Sequence, residues 1–496
     1  MGVRVHALYP VRVSNQYENA VDCCGLPSNG VAMRRGRRIL AQAVFRWPMP
    51  KFLVIFIFVL MALSAVCAQT NQQLQPDPGL MAEINQIKAI DNHAHPPALN
   101  GPGGKKDDDF DALPCYPLEP TADGLMFRED NPVYIKAWQK MFGYKYDDFN
   151  PEHVKELLAA KAQVKQREGD NYPNWVLDQL GIETELANRV AMGPGLRPPR
   201  FRWVAFDDTL LFPLDNSELA GETPDRQIFF GREELLLKRY LNQINVSSLP
   251  ATLSDYTAKV VTPLLERQKR AGAVAIKFEA AYLRSLDFGP ASEADAARIY
   301  SLYLGSGIPT EREYKVLQDY LFRYIAREAG RLGLPVHFHT GGGCGGYFEM
   351  EGSNPLLLDS IFNDPTLRQT KFVILHAGSG GFEQFVPYLL MKPNVYADFS
   401  EQTWMTSPRH LAASIRFMLE FYPDKVLFGT DLYPLTPQVN WEETGYQTET
   451  AGRTALAIAL TGMMEDGEIT RAEASEIARK VMRDNAIKLY GLKAKP

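Results

Sequence analysis

Two signatures of nucleotide chemistry are missing from this chain. No G-x-G-x-x-G turn follows its first apolar run, which argues against an open doubly wound dinucleotide fold. The glycine-rich stretch GGGCGGYFEMEG (341–352) lacks a following Gly-Lys-Ser/Thr, so it is not a phosphate loop. Basic charge is also short, with 53 Lys and Arg against 59 Asp and Glu among 496 residues. Eight of those basic residues but only two acidic ones precede Gln69, so the chain beyond that point carries a net −12. Nucleic-acid binding needs clustered Lys and Arg, and this balance speaks against it. Cysteine is rare: of five, only Cys115 and Cys344 lie beyond the first 68 residues. They could pair in an oxidising compartment, although two cysteines do not make a disulfide framework.

The N-terminus reads as targeting sequence. From Met49, MPKFLVIFIFVLMALSAVCAQ has one lysine, an apolar run from Phe52 to Val66 and a small-residue end at Ala68. That is the layout of a secretory signal peptide cleaved near Ala68, and the run is short for a membrane span. Residues 1–48 look like upstream leader from an early start codon. The expected protein is therefore secreted or periplasmic, with no stable membrane insertion after cleavage. Residues 69–496 read as a single domain, and a homo-oligomer is compatible with this composition.

Eight short apolar or β-branched segments follow. The first runs into His93, and the others are predicted at 187–193, 201–208, 272–280, 334–343, 371–381, 394–400 and 424–431. Helical patterns lie between them, such as EYKVLQDYLFRYIAREAGRLG with apolar residues at i, i+3, i+4 and i+7. Strands alternating with helices predict an α/β fold, a (β/α)8 TIM barrel, with a helical insertion at 99–180 after the first strand. The insertion should sit as a cap beside the barrel mouth, and its KKDDD run reads as a solvated loop.

Histidine is scarce too, with eight in all, yet five fall at the ends of predicted strands. DNHAHP carries His93 and His95, LPVHFHTGGG carries His337 and His339, and His376 ends the sixth segment. Lys277 lies inside the fourth segment, and Asp431 ends the eighth. In a parallel barrel the carboxyl ends of the strands converge, so these residues would meet. Residues i and i+2 of a strand face one side, letting His93 and His95 present two imidazoles to one ion. His339 and Asp431 would complete an open catalytic site of the Zn²⁺ type, with one or two ions and Mn²⁺ as an alternative. Such an ion lowers the pKa of water toward neutrality. Asp431 would be both ligand and catalytic base, and His376 a catalytic group or further ligand. Lys277 is expensive to bury as a cation. It is either a carbamate bridging two metals or a lysine held as a cation. Tyr282, Arg284 and Trp404 are placed to bind a small-molecule substrate, Arg284 through a carboxylate.

DNHAHP, IKFEAAYLR, LPVHFHTGGG, VILHAGSGG, NVYADFS and VLFGTDLYP resemble the strand ends of the amidohydrolase superfamily, nearest to its amidohydrolase-related family (amidohydrolase family 2). The likeness covers roughly 85–492 and is weakest in the insertion. It implies His93, His95, His339 and Asp431 as metal ligands, with His376 catalytic or a further ligand, and it places Lys277 where binuclear members carry their carbamate bridge. His337 departs from the family pattern. The expected activity is cleavage of a C–N or C–O bond by activated water. A metal-dependent decarboxylase of a small carboxylic acid is the alternative, and a barrel that merely binds a ligand is disfavoured by the intact histidine set.

Overall fold

The computed structural model describes residues 75–99, 107–119, 124–126 and 128–493. The leader and signal-peptide expectations, 1–48 and 49–68, lie outside them. Among the described residues no helix is long and apolar enough to cross a membrane.

The eight strands are β1 (Ala89–Ala94), β2 (Ile182–Asn188), β3 (Phe201–Phe206), β4 (Ala273–Phe278), β5 (Val336–Phe338), β6 (Phe372–Ile374), β7 (Val395–Asp398) and β8 (Val426–Leu427). They pair in sequence order, all parallel. Backbone bonds from Asn92 N to Phe428 O (2.9 Å), Asp431 N to His93 O (2.7 Å) and His95 N to Leu432 O (2.9 Å) join β1 to the chain around and after β8. The sheet is thus a (β/α)8 barrel. Seven strands fall within or across their predicted segments. The second does not: it spans 182–188, not 187–193. Its sequence IETELAN hides a buried strand, because Glu185 is fully buried on it while Arg189 and Val190 already belong to the following turn.

Helices form where their ends are capped. Helix α1 (Pro78–Gln86) begins at Asp77, whose side chain accepts from Leu80 N at 2.7 Å. The insertion contributes α2 (Pro132–Phe142), α3 (Pro151–Glu168) and α4 (Tyr172–Leu180). Helix α5 (Glu311–Leu332) starts in a Thr310–Glu313 capping box and stops at Gly333, which supplies the left-handed φ of 65°. Helix α6 (Trp441–Glu465) follows β8.

Three apolar cores result. The largest lies between sheet and helices, with Phe206, Ile276, Phe338 and Ile374 facing outward. A second fills the barrel with Val204, Ala275, Val373 and Leu427 and is closed by Tyr490 and its neighbours near the C-terminus. The third lies under the insertion. The insertion helices dock on α6, through Lys161 Nζ to Glu443 Oε2 at 2.7 Å and Tyr134 OH to Gln447 Oε1 at 2.8 Å. They flank the barrel, and a loop ahead of them, 107–115, reaches the mouth.

Candidate metal centre

Polar side chains gather at the carboxyl ends of the strands. His93 Nε2 lies 3.0 Å from Asp431 Oδ1 and 3.4 Å from Lys277 Nζ. His95 Nε2 is 3.5 Å from the same Asp431 oxygen. The His93 ring is 5.0 Å from those of both His95 and His376. His376 Nε2 stands 3.1 Å from His339 Nδ1, while His339 Nε2 meets Gly342 O at 2.6 Å. Since a carbonyl only accepts, His339 carries its proton on Nε2 and accepts at Nδ1 from His376. The sequence-predicted set of His93, His95, Lys277, His339, His376 and Asp431 is therefore one cluster.

Within it, the potential ligand atoms of His93, His376 and Asp431 lie within 4.8 Å of one another. A second trio, His95, Asp111 and Glu279, meets the same limit. Burial, reinforced by the Lys277 charge, holds the imidazoles of His93 and His339 well below their usual range. For His376, burial is joined by His339 and Lys277. Neutral imidazole is the form that ligates. Burial pushes the Asp431 carboxyl up to about 7, against the pull of His95 and Lys277. Two neutral nitrogens, a carboxylate and a buried setting fit a divalent ion. His93 Nδ1, buried without a partner, is a further unsatisfied atom beside this group.

The backbone around the cluster is strained. Five described non-glycine residues have positive φ, and four of them, His376, Ala377, Glu401 and Asp431, lie just past β6, β7 and β8. Glu401 (φ 60°, ψ −52°) is the corner of a tight γ-turn closed by Gln402 N to Ser400 O at 2.6 Å. Such conformations cost free energy and persist where the surroundings enforce them. Here the enforcers are visible. His376 N donates to Asp398 Oδ1 at 2.9 Å, Ser400 Oγ sits 2.9 Å from His376 Nδ1, and Ser379 Oγ donates to Glu401. Gly341 is required because a Cβ there would lie 2.3 Å from Ser379 O.

Three acidic residues of the site escaped the sequence reading. Glu279 carried a signal, standing two residues beyond Lys277 and so on the same side of the chain. Asp398 follows the same strand-end rule as the histidines. Asp111 carried none, since it comes from the insertion. The KKDDD expectation is corrected as far as it is described. Asp107 Oδ1 accepts from Arg189 (2.8 Å), Asp109 pairs with Arg239, and Asp111 Oδ2 lies 3.3 Å from His95 Nδ1. Alternate aspartates are thus tied down, and Cys115 is disulfide-bonded to Cys344 in the β5 loop.

The substrate residues divide. Tyr282 packs its ring 4.7 Å from His339 and 5.0 Å from Phe348, and Trp404 lies 5.3 Å from Tyr433. Arg284 is not available as a carboxylate clamp. Its nitrogens are taken by Ser285 O, Gln318 Oε1, Asp287 O and Asp319 Oδ1, all within 2.9 Å, and it is 8% exposed. His337 lies one layer deeper than His339 and bonds Tyr490 OH at 2.8 Å.

Residues 252–492 match the amidohydrolase family. A stretch of 237 residues, 45% of this chain, is 27% identical to protein fluG of Emericella nidulans and covers 26% of that protein. The chain thus spans about a quarter of the length of this curated relative. Two solved structures share the fold. One, from Lactobacillus casei, aligns with TM-score 0.52 and 15% identity over 84% of this chain and 98% of its own. The other, glucuronate isomerase from Caulobacter crescentus, aligns with TM-score 0.52 and 13% identity over 86% and 97%. At these identities the structural likeness is one of fold.

Proposed function

Because the chain belongs to the amidohydrolase family, we propose that it is an exported metal-dependent hydrolase that cleaves a C–N or C–O bond of a small substrate. The observation that carries this reading is the approach of His93 Nε2 and Asp431 Oδ1 to 3.0 Å beside buried His376. His93, His376 and Asp431 would hold the ion, with His95 and His339 adjacent. The nitrogen-rich set favours Zn²⁺, with Mn²⁺ the alternative. When bound, the ion supplies Lewis acidity and lowers the pKa of water at the site into the neutral range. Asp431 then takes up the proton on a carboxylate oxygen. Ser400 Oγ, 2.9 Å from Nδ1, fixes the orientation of the His376 ring. Tyr282, Phe348 and Trp404 offer aromatic walls that exclude water. Lys277 lies between His93 Nε2 and Glu279 Oε1 (3.8 Å), a setting that suits an ammonium cation. The carbamate reading would show as metal stoichiometry that depends on bicarbonate.

Hydrolysis is favoured over decarboxylation because Arg284, which would have clamped a carboxylate, is already engaged. Export is supported by the disulfide, a bond that persists in oxidising compartments. Protein recovered outside the cytoplasm should begin near Gln69. The activity is tested by screening amides and lactones with metal-stripped and Zn²⁺-reloaded protein. Reloading should restore release of an amine or acid, and Asp431→Asn should lower kcat/KM by about 10²–10⁴-fold. CO₂ as the product, or equal rates with and without metal, would overturn the reading.

A further inference from the structure

A cleft of about 390 Å³ opens between the insertion and the loop that follows β8. One wall is formed by Leu158, Lys161, Ala162 and Lys165, spaced along α3 so that all four share a helix face. The other is the loop 434–440, in which Pro434 and Pro437 fix the backbone and Leu435 is 39% exposed. These walls are braced. Lys161 Nζ donates to Gln438 O at 3.3 Å, Trp138 Nε1 to the same carbonyl at 3.2 Å, and Thr436 N to Val439 O at 2.7 Å. The cleft shares no residue with the metal cluster, although its loop begins three residues past Asp431.

Charge in the cleft is one-sided. Two lysines line it and no carboxylate does. Glu442 and Glu443, both fully buried, meet those lysines from behind. Lys161 Nζ reaches Glu443 Oε2 at 2.7 Å, and its side chain is only 4% exposed. Lys165 Nζ lies 3.4 Å from Glu442 Oε1 and 5.2 Å from the Tyr172 ring, yet its side chain is 42% exposed. Burial pushes the Glu443 carboxyl up even beside Lys161, so the two ammonium groups outweigh the carboxyls behind them. The rest of the lining is apolar: Leu158, Ala162, Pro434, Leu435 and Pro437. An apolar cavity of this size with one or two placed charges is the usual form of a small-molecule site.

We propose that this cleft binds a small carboxylate with an apolar body, its charged head on Lys165 and its body between Leu158 and Leu435. Burial of the apolar body supplies the affinity, and the ammonium selects for negative charge. The inference goes beyond the hydrolytic reading and does not need the metal. A bound anion rests on the segment that joins Asp431 to α6, through Tyr433, whose ring lies 5.3 Å from Trp404. The insertion thus contributes a ligand site of its own on the flank of the barrel.

The test uses the full-length oxidised protein, with 2-naphthoate as the probe and isothermal titration calorimetry as the readout. Wild type should bind one equivalent. The neutral analogue 2-naphthamide, a comparison that needs no variant, should bind at least about tenfold more weakly. Lys165→Met keeps the stem without the charge, and Leu158→Trp fills the cleft. Each should weaken 2-naphthoate at least about tenfold while the unfolding midpoint stays near that of wild type. Chelation of metal should leave the affinity unchanged. Absence of saturable binding to wild type would overturn the inference, as would equal affinity for the neutral analogue or affinity unchanged in both variants. Binding lost on chelation yet retained in Lys165→Met would place the probe on the metal, overturning the cleft while leaving the hydrolytic reading intact.

Discussion

Cys115 and Cys344 are bonded across 229 residues of sequence, tying the insertion loop that carries Asp111 to the β5 loop that follows His339. A crosslink that closes so long a loop restricts the unfolded chain strongly. Cys115→Ser with Cys344→Ser, or reduction of the wild type, should cost about 2–5 kcal/mol in denaturant unfolding. An unchanged midpoint with and without reductant would refute this.

Arg284 pairs with Asp319 at 2.8 Å while Lys315 holds the other oxygen of that carboxylate at 2.7 Å. Arg284→Met should therefore destabilise by about 3 kcal/mol, at the low end for a broken buried pair because Lys315 remains. KM should not move. A raised KM at normal stability would return Arg284 to the substrate site.

The Tyr490 hydroxyl bonds both His337 and Asn92, below the metal centre. Tyr490→Phe should cost about 1–3 kcal/mol by leaving buried groups unpaired. Bound metal per chain, read by elemental analysis, should be the same as in wild type. Lost metal would place His337 among the ligands after all.

Asp207 is fully buried, accepts one bond from Gln268 (2.7 Å), and has its carboxyl pushed up to about 8 by burial. Its ordinary value is 3.8. Between these limits the unfolded chain has released the proton while the folded chain keeps it, so stability falls as pH rises through this window. Asp207→Asn retains the Gln268 bond without the titration. Unfolding at pH 5 and pH 8 should show wild type losing a few kcal/mol relative to the variant, and parallel profiles would contradict this.

Much of the barrel was legible because its strand ends carry histidines and its helices carry caps, as Thr310 and Gly333 do. The site's nitrogen donors were visible for the same reason, each standing at the close of an apolar run. What escaped detection obeys other rules. The second strand was misplaced because IETELAN alternates charge with apolar residues, and nothing local says that Glu185 is buried. Arg284 lies two residues from Tyr282, but its direction is set by Asp319, on a helix far along the chain. Asp111 belongs to a loop whose position depends on Arg189, Arg239 and Cys344, partners up to 229 residues distant.

The γ-turn at Glu401 means that stability and competence pull in opposite directions at this rim. A glycine would accept that backbone geometry with little penalty, so the chain keeps a less comfortable residue where its carboxyl faces Ser379 and Asp431. Selection for heat resistance alone should drift toward Glu401→Gly, and the proteins so obtained should be sturdier and poorer at their task.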